Sequence, residues 1–181
     1  MADASAVGLW RRIDLAERSL CLRINRGCHR ARVRSLFTVA SRLGDGVFWY
    51  ALMASLALIG GDVGVRVALQ MAVAGLAGTA LYRVLKQRLV RERPFVSHAG
   101  ILRGVAPLDR YSFPSGHTLH AVSFTALAAS SYPGLAWVLV PFALLVAASR
   151  VVLGLHYPTD VAAGAALGAV LATAVTRFWP I

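Results

Sequence analysis

The stretch "RYSFPSGHTLHA", residues 110–121, joins a polar turn to the start of a long apolar helix. Pro114 and Gly116 favour a turn, and Ser115 stands where it can cap the helix that follows. A plain cap explains Ser115 but leaves His117 unexplained. An ionisable side chain at the end of a membrane helix needs a partner, so residues elsewhere in the chain must supply one.

The composition of the 181-residue chain is typical of a membrane protein. It is 57% hydrophobic and only 15% charged, with a positive mean hydropathy. The formal net charge is +11 at pH 7, but most basic residues fall within 11–42 and 83–110. Basic blocks beside apolar spans fit anionic headgroups and phosphorylated substrates better than a nucleic-acid groove. We therefore expect anionic membrane lipids as partners, and no nucleic acid.

Five apolar stretches predict an all-α fold class, an integral membrane helical bundle of about five transmembrane helices. The stretches cover residues 36–59, 65–85, 118–132, 135–149 and 161–178. The Tyr132-Pro133-Gly134 connection is short enough to force an antiparallel hairpin. Small residues repeat between Ala162 and Ala169, which favours close helix contact in lipid. Several stretches are shorter than the roughly 20 residues that span a bilayer, so their helices must extend into polar flanks.

Residues 9–34, ahead of the first span, mix recurring apolar residues with seven arginines between Arg11 and Arg32. This pattern predicts an amphipathic helix in the headgroup region, and an arginine-rich soluble tail is the alternative. The predicted organisation is an N-terminal interfacial segment, residues 1–34, followed by a membrane-embedded domain, residues 35–181.

If the five spans alternate in direction, the loop 86–117 and the junction 150–160 emerge on the same side of the membrane. Lys86 and Arg93 are seven residues apart, so on one helix they face the same way, and Pro94 would end that helix directly after Arg93. Two such cations make an anion site, although a solvated basic helix end is the alternative. At the start of the third span, the amides of Ser115, Gly116 and His117 attract phosphate oxygens.

The segment "SRVVLGLHYPTD", residues 149–160, adds a third cation, Arg150, and a second histidine. Gly154 permits a break in the chain before His156. Asp160 can accept a hydrogen bond from the N–H of His156, fix the tautomer of the ring and leave its other nitrogen free to attack. Asp160 could equally serve only the dipole of the helix it begins. Together, the three cations, two histidines, carboxylate and helix start predict a site for phosphate chemistry on one face.

Three segments resemble, in order and spacing, the signature motifs of the type-2 phosphatidic acid phosphatase superfamily. They are "KQRLVRERP" (86–94), "PSGH" (114–117) and "SRVVLGLHYPTD" (149–160). That superfamily includes membrane lipid phosphatases, soluble bacterial acid phosphatases and vanadium haloperoxidases. The apolar spans around the motifs fit the membrane branch.

The resemblance implies a role for each motif residue. His156 would be the nucleophile that forms a phosphohistidine, and Asp160 would orient it. His117 would act as general acid and later as base. The groups that would hold the phosphate oxygens are Lys86, Arg93, Arg150, Ser115 and the Gly116 amide. No metal and no other cofactor is implied.

Other polar residues lie near the motifs without matching them. They are His98, Asp109 and His120, and for His120 a structural hydrogen bond is favoured over a place in the site. Asp45, in "SRLGDG" (41–46), lies at the same end of the first span. It is assigned only a packing or gating role.

The implied function is an integral membrane phosphatase for a phosphomonoester or diphosphate of a lipid that enters from the bilayer. Phosphatidate, phosphatidylglycerophosphate and an isoprenoid phosphate or diphosphate all fit. A lipid phosphotransferase is the first alternative, and a non-enzymatic membrane protein is the second. Seventeen Lys and Arg lie on the catalytic side and two, Arg66 and Arg177, on the other. This bias predicts a multi-pass cell-membrane protein whose catalytic face is cytoplasmic, whereas the resemblance to bacterial family members favours the extracytoplasmic face.

Overall fold

The computed structural model describes the backbone of residues 4–180 and the side chains of residues 11–180. The predicted N-terminal segment before residue 4 and the last residue of the predicted domain lie outside the described residues. Eight α-helices form in chain order within them: α1 Ala4–Asn25, α2 Ala31–Arg42, α3 Phe48–Ile59, α4 Gly61–Leu89, α5 Pro94–Ser97, α6 Gly116–Ser131, α7 Ala136–Val152 and α8 Pro158–Phe178.

Four helical segments are long and apolar enough to cross a bilayer. They are Ala31–Ile59, Gly61–Ser97, Pro133–Val152 and Pro158–Phe178. The first joins α2 to α3 through a π-helical turn, Leu43–Val47. The predicted third span is α6, which has 16 residues and lies at the centre of the bundle against α4, α7 and α8. The all-α membrane bundle is therefore confirmed, with a helix at each predicted stretch.

The close contact predicted for the small residues of the last span is present between α6 and α8. A Cβ at Gly164 would lie 2.5 Å from the Ser115 carbonyl oxygen, and one at Gly168 would lie 2.4 Å from that of Leu119. Only glycine lets the two backbones approach this closely. The approach holds the start of α6 directly against the start of α8, where the motif residues lie.

A cluster of aromatic rings fills the bundle beside α6. Trp49 of α3 is almost fully buried and packs edge-on against Phe124 of α6, with 5.4 Å between ring centroids. Phe48 lies 4.1 Å from Phe142 of α7 by the same measure. Such pairs stabilise beyond their buried area, and they hold α3 against α6 and α7.

The prediction that Lys86 and Arg93 share one helix is wrong. Helix α4 ends at Leu89, and Val90 takes a left-handed conformation (φ 49°, ψ 45°) that turns the chain away. Arg93 is extended (φ −81°, ψ 151°) and precedes Pro94, the first residue of α5. A proline disfavours helical conformation in the residue before it, so the helix has to end before Arg93 rather than after it.

The N-terminal helix α1 packs against α5 and α7 at this same end of the bundle. Asn25, at its last position, donates 2.9 Å hydrogen bonds to the carbonyls of Leu102 and Val152. The first helical segment that could cross a bilayer begins with α2 at Ala31, inside the segment 1–34 rather than after it. The interfacial location of this segment and its boundary stay predictions.

Candidate active site

A cavity of about 490 Å³ opens at the end of the bundle where the three motif segments meet. Six of the predicted site residues line it: Lys86, Arg93, Gly116, His117, Arg150 and His156. The other two, Ser115 and Asp160, are fully buried behind its wall. The structure therefore brings together residues that are up to 70 positions apart in the sequence.

His156 reaches the cavity because the chain breaks between α7 and α8. Gly154 has a left-handed φ of 73°, and a Cβ there would lie 2.6 Å from the Leu102 carbonyl oxygen. The amides of Leu155 and His156 both donate back to the Arg150 carbonyl, at 2.9 and 3.0 Å. The break predicted at Gly154 thus exists, and it turns the His156 side chain toward the motif cations.

The surroundings of His156 determine which ring nitrogen carries the proton. Arg93 Nη1 lies 3.3 Å from Nε2, and a guanidinium can only donate, so Nε2 is the unprotonated acceptor. Nδ1 then carries the proton and lies 3.4 Å from Asp160 Oδ2, within ion-pair range but without the alignment of a hydrogen bond. Burial lowers the pKa of His156 well below its ordinary value, and the charge of Arg93 lowers it further. The ring is therefore neutral at pH 7, with its lone pair on the side of the cations.

Asp160 is held by more than His156. Its Oδ2 accepts the Tyr157 amide at 2.8 Å, which caps α8, and its Oδ1 accepts from Arg91 Nη1 at 2.5 Å. Arg91 and Asp160 are both fully buried. Asp160 therefore caps the helix it begins and also lies beside His156, as the two interpretations of the sequence proposed. Its ion pair with Arg91 is a third contact.

Arg91 also joins α1 to this carboxylate. Its Nε and Nη2 donate to Asp14 Oδ1 at 2.9 and 2.7 Å, and Nη2 reaches Glu17 Oε2 at 2.9 Å. Glu17 in turn accepts the amide and hydroxyl of Thr159, at 2.8 and 2.6 Å. Sequence reasoning missed Arg91, although it lies inside the quoted motif segment.

Two cations of the cavity wall, Lys86 and Arg93, meet at one carboxylate, that of Asp109. Lys86 Nζ donates to both of its oxygens at 2.7 and 2.8 Å, and Arg93 Nη2 donates to Oδ1 at 2.8 Å. Burial opposes ionisation of Asp109, but the hydrogen bonds and charges of Lys86 and Arg93 outweigh it and lower the pKa of this carboxyl. Asp109 was noted in the sequence without a role.

Arg150 stands apart from that carboxylate. Its Nη1 donates to Ser41 Oγ at 2.5 Å. Its Nε is buried and has no hydrogen-bond partner within the described part of the chain. A buried guanidinium donor without an acceptor is costly unless a ligand satisfies it.

Asp45 contacts His117. Its Oδ1 meets His117 Nε2 across the cavity mouth, from the π-helical turn that joins α2 to α3. The contact fixes the orientation of the His117 ring. The sequence assigned Asp45 only a packing or gating role and did not predict this contact. The signal in the sequence was the acidic residue between two glycines at the end of an otherwise apolar span.

At the start of α6, Ser115 is the cap that the simpler interpretation predicted. Its Oγ accepts the Thr118 amide at 3.4 Å, and its own amide donates to the Asp160 carbonyl at 3.0 Å. Helical geometry leaves the amides of Gly116 and His117 without intrahelical acceptors. These two amides, rather than that of Ser115, are available to an anion in the cavity.

His120 and His98 make structural contacts. His120 stacks on Phe124, and its Nε2 donates to the Gly75 carbonyl at 3.2 Å. The ring also lines the cavity. His98 Nε2 lies 3.2 Å from the Tyr157 hydroxyl. Among the residues that the structure describes, no three His, Cys, Asp or Glu side chains come together as a metal-binding group.

The fold and the cavity define a class of protein: a helical membrane protein with a cationic pocket and a neutral histidine at one end of its bundle. The chain belongs to the PAP2 superfamily, whose family model matches residues 64–180. The family predicted from the three motifs is therefore confirmed.

Curated relatives share part of the chain. It is 46% identical over 98 residues to the decaprenylphosphoryl-5-phosphoribose phosphatase of Mycobacterium tuberculosis, covering 51% of this chain and 50% of that protein. It is 36% identical over 93 residues to the lipid A 1-phosphatase of Rhizobium johnstonii, covering 49% and 38%. The chain thus spans half or less of the length of these two relatives.

A solved structure shares the whole fold. It is a transmembrane PAP2 type phosphatidylglycerolphosphate phosphatase from Bacillus subtilis, with a TM-score of 0.69 and 24% identity. The similarity covers 96% of this chain and 94% of that one. At this identity the likeness establishes the fold alone.

Proposed function

We propose that the protein is a lipid phosphatase that hydrolyses a phosphomonoester or diphosphate through a phosphohistidine on His156. The proposal rests on the position of the His156 ring. Its unprotonated Nε2 lies 3.3 Å from Arg93 Nη1, in a cavity that His117 also lines. A neutral imidazole with its lone pair among cations is a nucleophile aimed at an anionic centre.

In the first step, His156 Nε2 attacks phosphorus, a P–N bond forms, and the bond to the leaving oxygen breaks. The Nδ1 proton stays on the ring, where Asp160 stabilises the positive charge that develops. His117 donates a proton to the leaving oxygen. Lys86, Arg93 and Arg150 neutralise the equatorial phosphate oxygens.

In the second step, His117 accepts a proton from a water molecule, whose oxygen attacks phosphorus. The P–N bond breaks, inorganic phosphate leaves, and Nε2 regains its lone pair. The buried Nε of Arg150 supports this assignment, because an oxygen of the phosphoryl group would satisfy a donor that the described residues leave without a partner. The three cations and the α6 amides supply the charge for both steps, so EDTA is expected to leave the rate unchanged, and loss of activity restored by a divalent cation would contradict this.

The lipid character of the substrate is supported by the other wall of the cavity. Away from the cations, apolar side chains of α3 and α4 line it: Trp49, Tyr50, Met53, Met71 and Leu76. A lipid chain between these helices would place its phosphate at the polar end. The named relatives act on a polyprenyl phosphoryl sugar phosphate and on lipid A, and the fold neighbour is a phosphatidylglycerolphosphate phosphatase, so lipid phosphates with different tails are all candidates.

Phosphate release from a panel of lipid phosphates in detergent tests the proposal. The panel contains phosphatidate, phosphatidylglycerophosphate, an isoprenoid phosphate and an isoprenoid diphosphate. His156→Ala should abolish release, while His29→Ala, which removes an exposed imidazole outside the cavity, should leave it unchanged. Equal activity in wild type and His156→Ala would overturn the mechanism. Transfer of phosphate to a second lipid instead of water would identify a phosphotransferase.

We also propose a cell-membrane location with the catalytic face in the cytoplasm, because seventeen of nineteen Lys and Arg lie at the catalytic end. Gly60 lies at the opposite end, where its carbonyl accepts from the Tyr132 hydroxyl at 3.1 Å. Topology reporters fused at Gly60 and after Ile181 should then both report a location outside the cytoplasm. Activity of both reporters inside the cytoplasm would reverse the orientation.

A further inference from the structure

Asp109 occupies the place that the proposed phosphate needs. Its two oxygens take three hydrogen bonds of 2.7–2.8 Å from Lys86 Nζ and Arg93 Nη2. Both cations are buried, with 6% and 2% of their surface exposed. The carboxylate is therefore an internal anion held by the two cations that are proposed to hold the substrate.

The remaining donors of Arg93 are already used. Nε donates to the Asp109 carbonyl at 3.1 Å and Nη1 to the Leu155 carbonyl at 2.7 Å. Nη1 also lies 3.3 Å from His156 Nε2, so a phosphate oxygen can reach Arg93 in the plane of its guanidinium mainly through Nη2, one of whose two protons the carboxylate takes. Lys86 has two of its three protons directed at the same carboxylate. A phosphoryl group that binds both cations would therefore compete with the Asp109 side chain for part of the donors that Lys86 and Arg93 offer.

The side chain of Asp109 is able to leave. It is 38% exposed and lies on the irregular segment between α5 and α6. The backbone at Asp109 and just after it is anchored, because Arg93 Nε donates to the Asp109 carbonyl and the Ser112 amide donates to the Arg91 carbonyl at 2.8 Å. Rotation of one side chain would therefore expose both cations without moving the loop.

We propose that Asp109 is a built-in competitor that sets the affinity of the site for phosphoryl groups. It occupies the cations when the site is empty, rotates aside when a lipid phosphate binds, and returns as inorganic phosphate leaves. The inference rests on the proposed function, because it assigns the phosphate to Lys86 and Arg93.

Competition of this kind has a recognisable signature. When only a fraction of molecules is binding-competent, every apparent dissociation constant rises by the reciprocal of that fraction. The factor is the same for substrate and for inorganic phosphate, since both need the carboxylate displaced. Weaker binding of the product favours its release, which is often the slow step. Uniform weakening of this sort leaves the chemical step itself unchanged.

The test replaces Asp109 with asparagine, which keeps the shape and removes the charge. We expect the KM for the lipid phosphate and the inhibition constant for inorganic phosphate to fall by a common factor of about fivefold, the upper end for a partly exposed ion pair that is removed. Glu92→Gln is the matched control: it removes one negative charge from the connection between α4 and α5, where Glu92 lies 3.8 Å from the exposed Arg110. Its constants should stay within twofold of wild type, roughly the effect of a screened surface charge.

Unchanged or raised constants in Asp109→Asn would overturn the inference, as would a fall for the substrate but not for inorganic phosphate. Asp109→Ala is made alongside, so that a folding defect of one variant, seen as lost helical circular dichroism, does not decide the result.

Calorimetric binding of inorganic phosphate separates the proposed competition by Asp109 from the proposed phosphatase activity. Tighter phosphate binding by Asp109→Asn without any lipid hydrolysis would support the competitor and refute the phosphatase. Normal hydrolysis with equal phosphate binding would do the reverse.

Discussion

Replacing Arg91 with methionine would leave the Asp160 carboxylate buried without its closest counter-ion. The two side chains are fully buried and meet at 2.5 Å. Removing one partner of a buried ion pair costs about 3–5 kcal/mol, because the other charge stays desolvated. Asp14 and Glu17, only 13% and 12% exposed, lose the same partner. We therefore expect Arg91→Met to lower the free energy of unfolding by at least about 3 kcal/mol.

A double-mutant cycle isolates the pair. Asp160→Asn alone keeps an acceptor for the Tyr157 amide and leaves Arg91 with its two carboxylates on α1. In Arg91→Met with Asp160→Asn, the stranded charge is gone, so the loss should be smaller than the sum of the single losses by about 2 kcal/mol. The assay is denaturant unfolding in mixed detergent micelles. Losses that add to within about 0.5 kcal/mol would refute the reasoning.

Three further predictions concern other parts of the site. Asp45→Asn should lower kcat about ten- to a hundredfold with little change in KM, because it frees the ring of the proposed acid His117. Steady-state kinetics measure this, with Asp62→Asn, a change at the far end of α4, as the control. A change in KM alone would contradict the prediction. Gly164→Ala should destabilise the bundle by about 1–3 kcal/mol, since its Cβ would lie 2.5 Å from a carbonyl of α6. Gly134→Ala, where a Cβ meets nothing within 4 Å, is the control in the same unfolding experiment, and equal effects would argue against the close helix contact. Below about pH 6.5, His156 becomes protonated in the unfolded chain but not in the folded protein, where its pKa is lowered. The free energy of unfolding should therefore fall as the pH drops, by up to about 1.4 kcal/mol per pH unit. His156→Gln should reduce that slope in unfolding measurements from pH 7.5 to 5, and an unchanged slope would show that other groups cause it.

The parts of the fold that the sequence predicted well are those controlled by a regular pattern. All five apolar stretches are helical, the first as α2 and α3 joined by a π-helical turn, because each buries or exposes to lipid a nearly continuous apolar surface. The small residues of the last span indicated the close contact at Gly164, since backbone approach depends only on side-chain size. Gly154 indicated the break before His156, because a left-handed residue there is easiest for glycine.

The errors lie where the chain is irregular. Helical periodicity placed Arg93 on the same helix as Lys86, but the restriction that Pro94 imposes on the preceding residue prevailed. The partners of the cations were also missed. Asp109 belongs to a segment without periodicity, so nothing in the pattern predicts which way its carboxylate points. Arg91 was hidden inside a recognised motif, and its role depends on acids of α1 about 75 positions earlier.

Capture of the covalent intermediate tests the central claim most directly. The protein is quenched at alkaline pH during turnover of a lipid phosphate, digested, and searched by mass spectrometry for a phosphorylated histidine. The account predicts phosphate on His156 and none in His156→Ala. Turnover at the wild-type rate with phosphate on another residue, or undiminished turnover in His156→Ala, would contradict it.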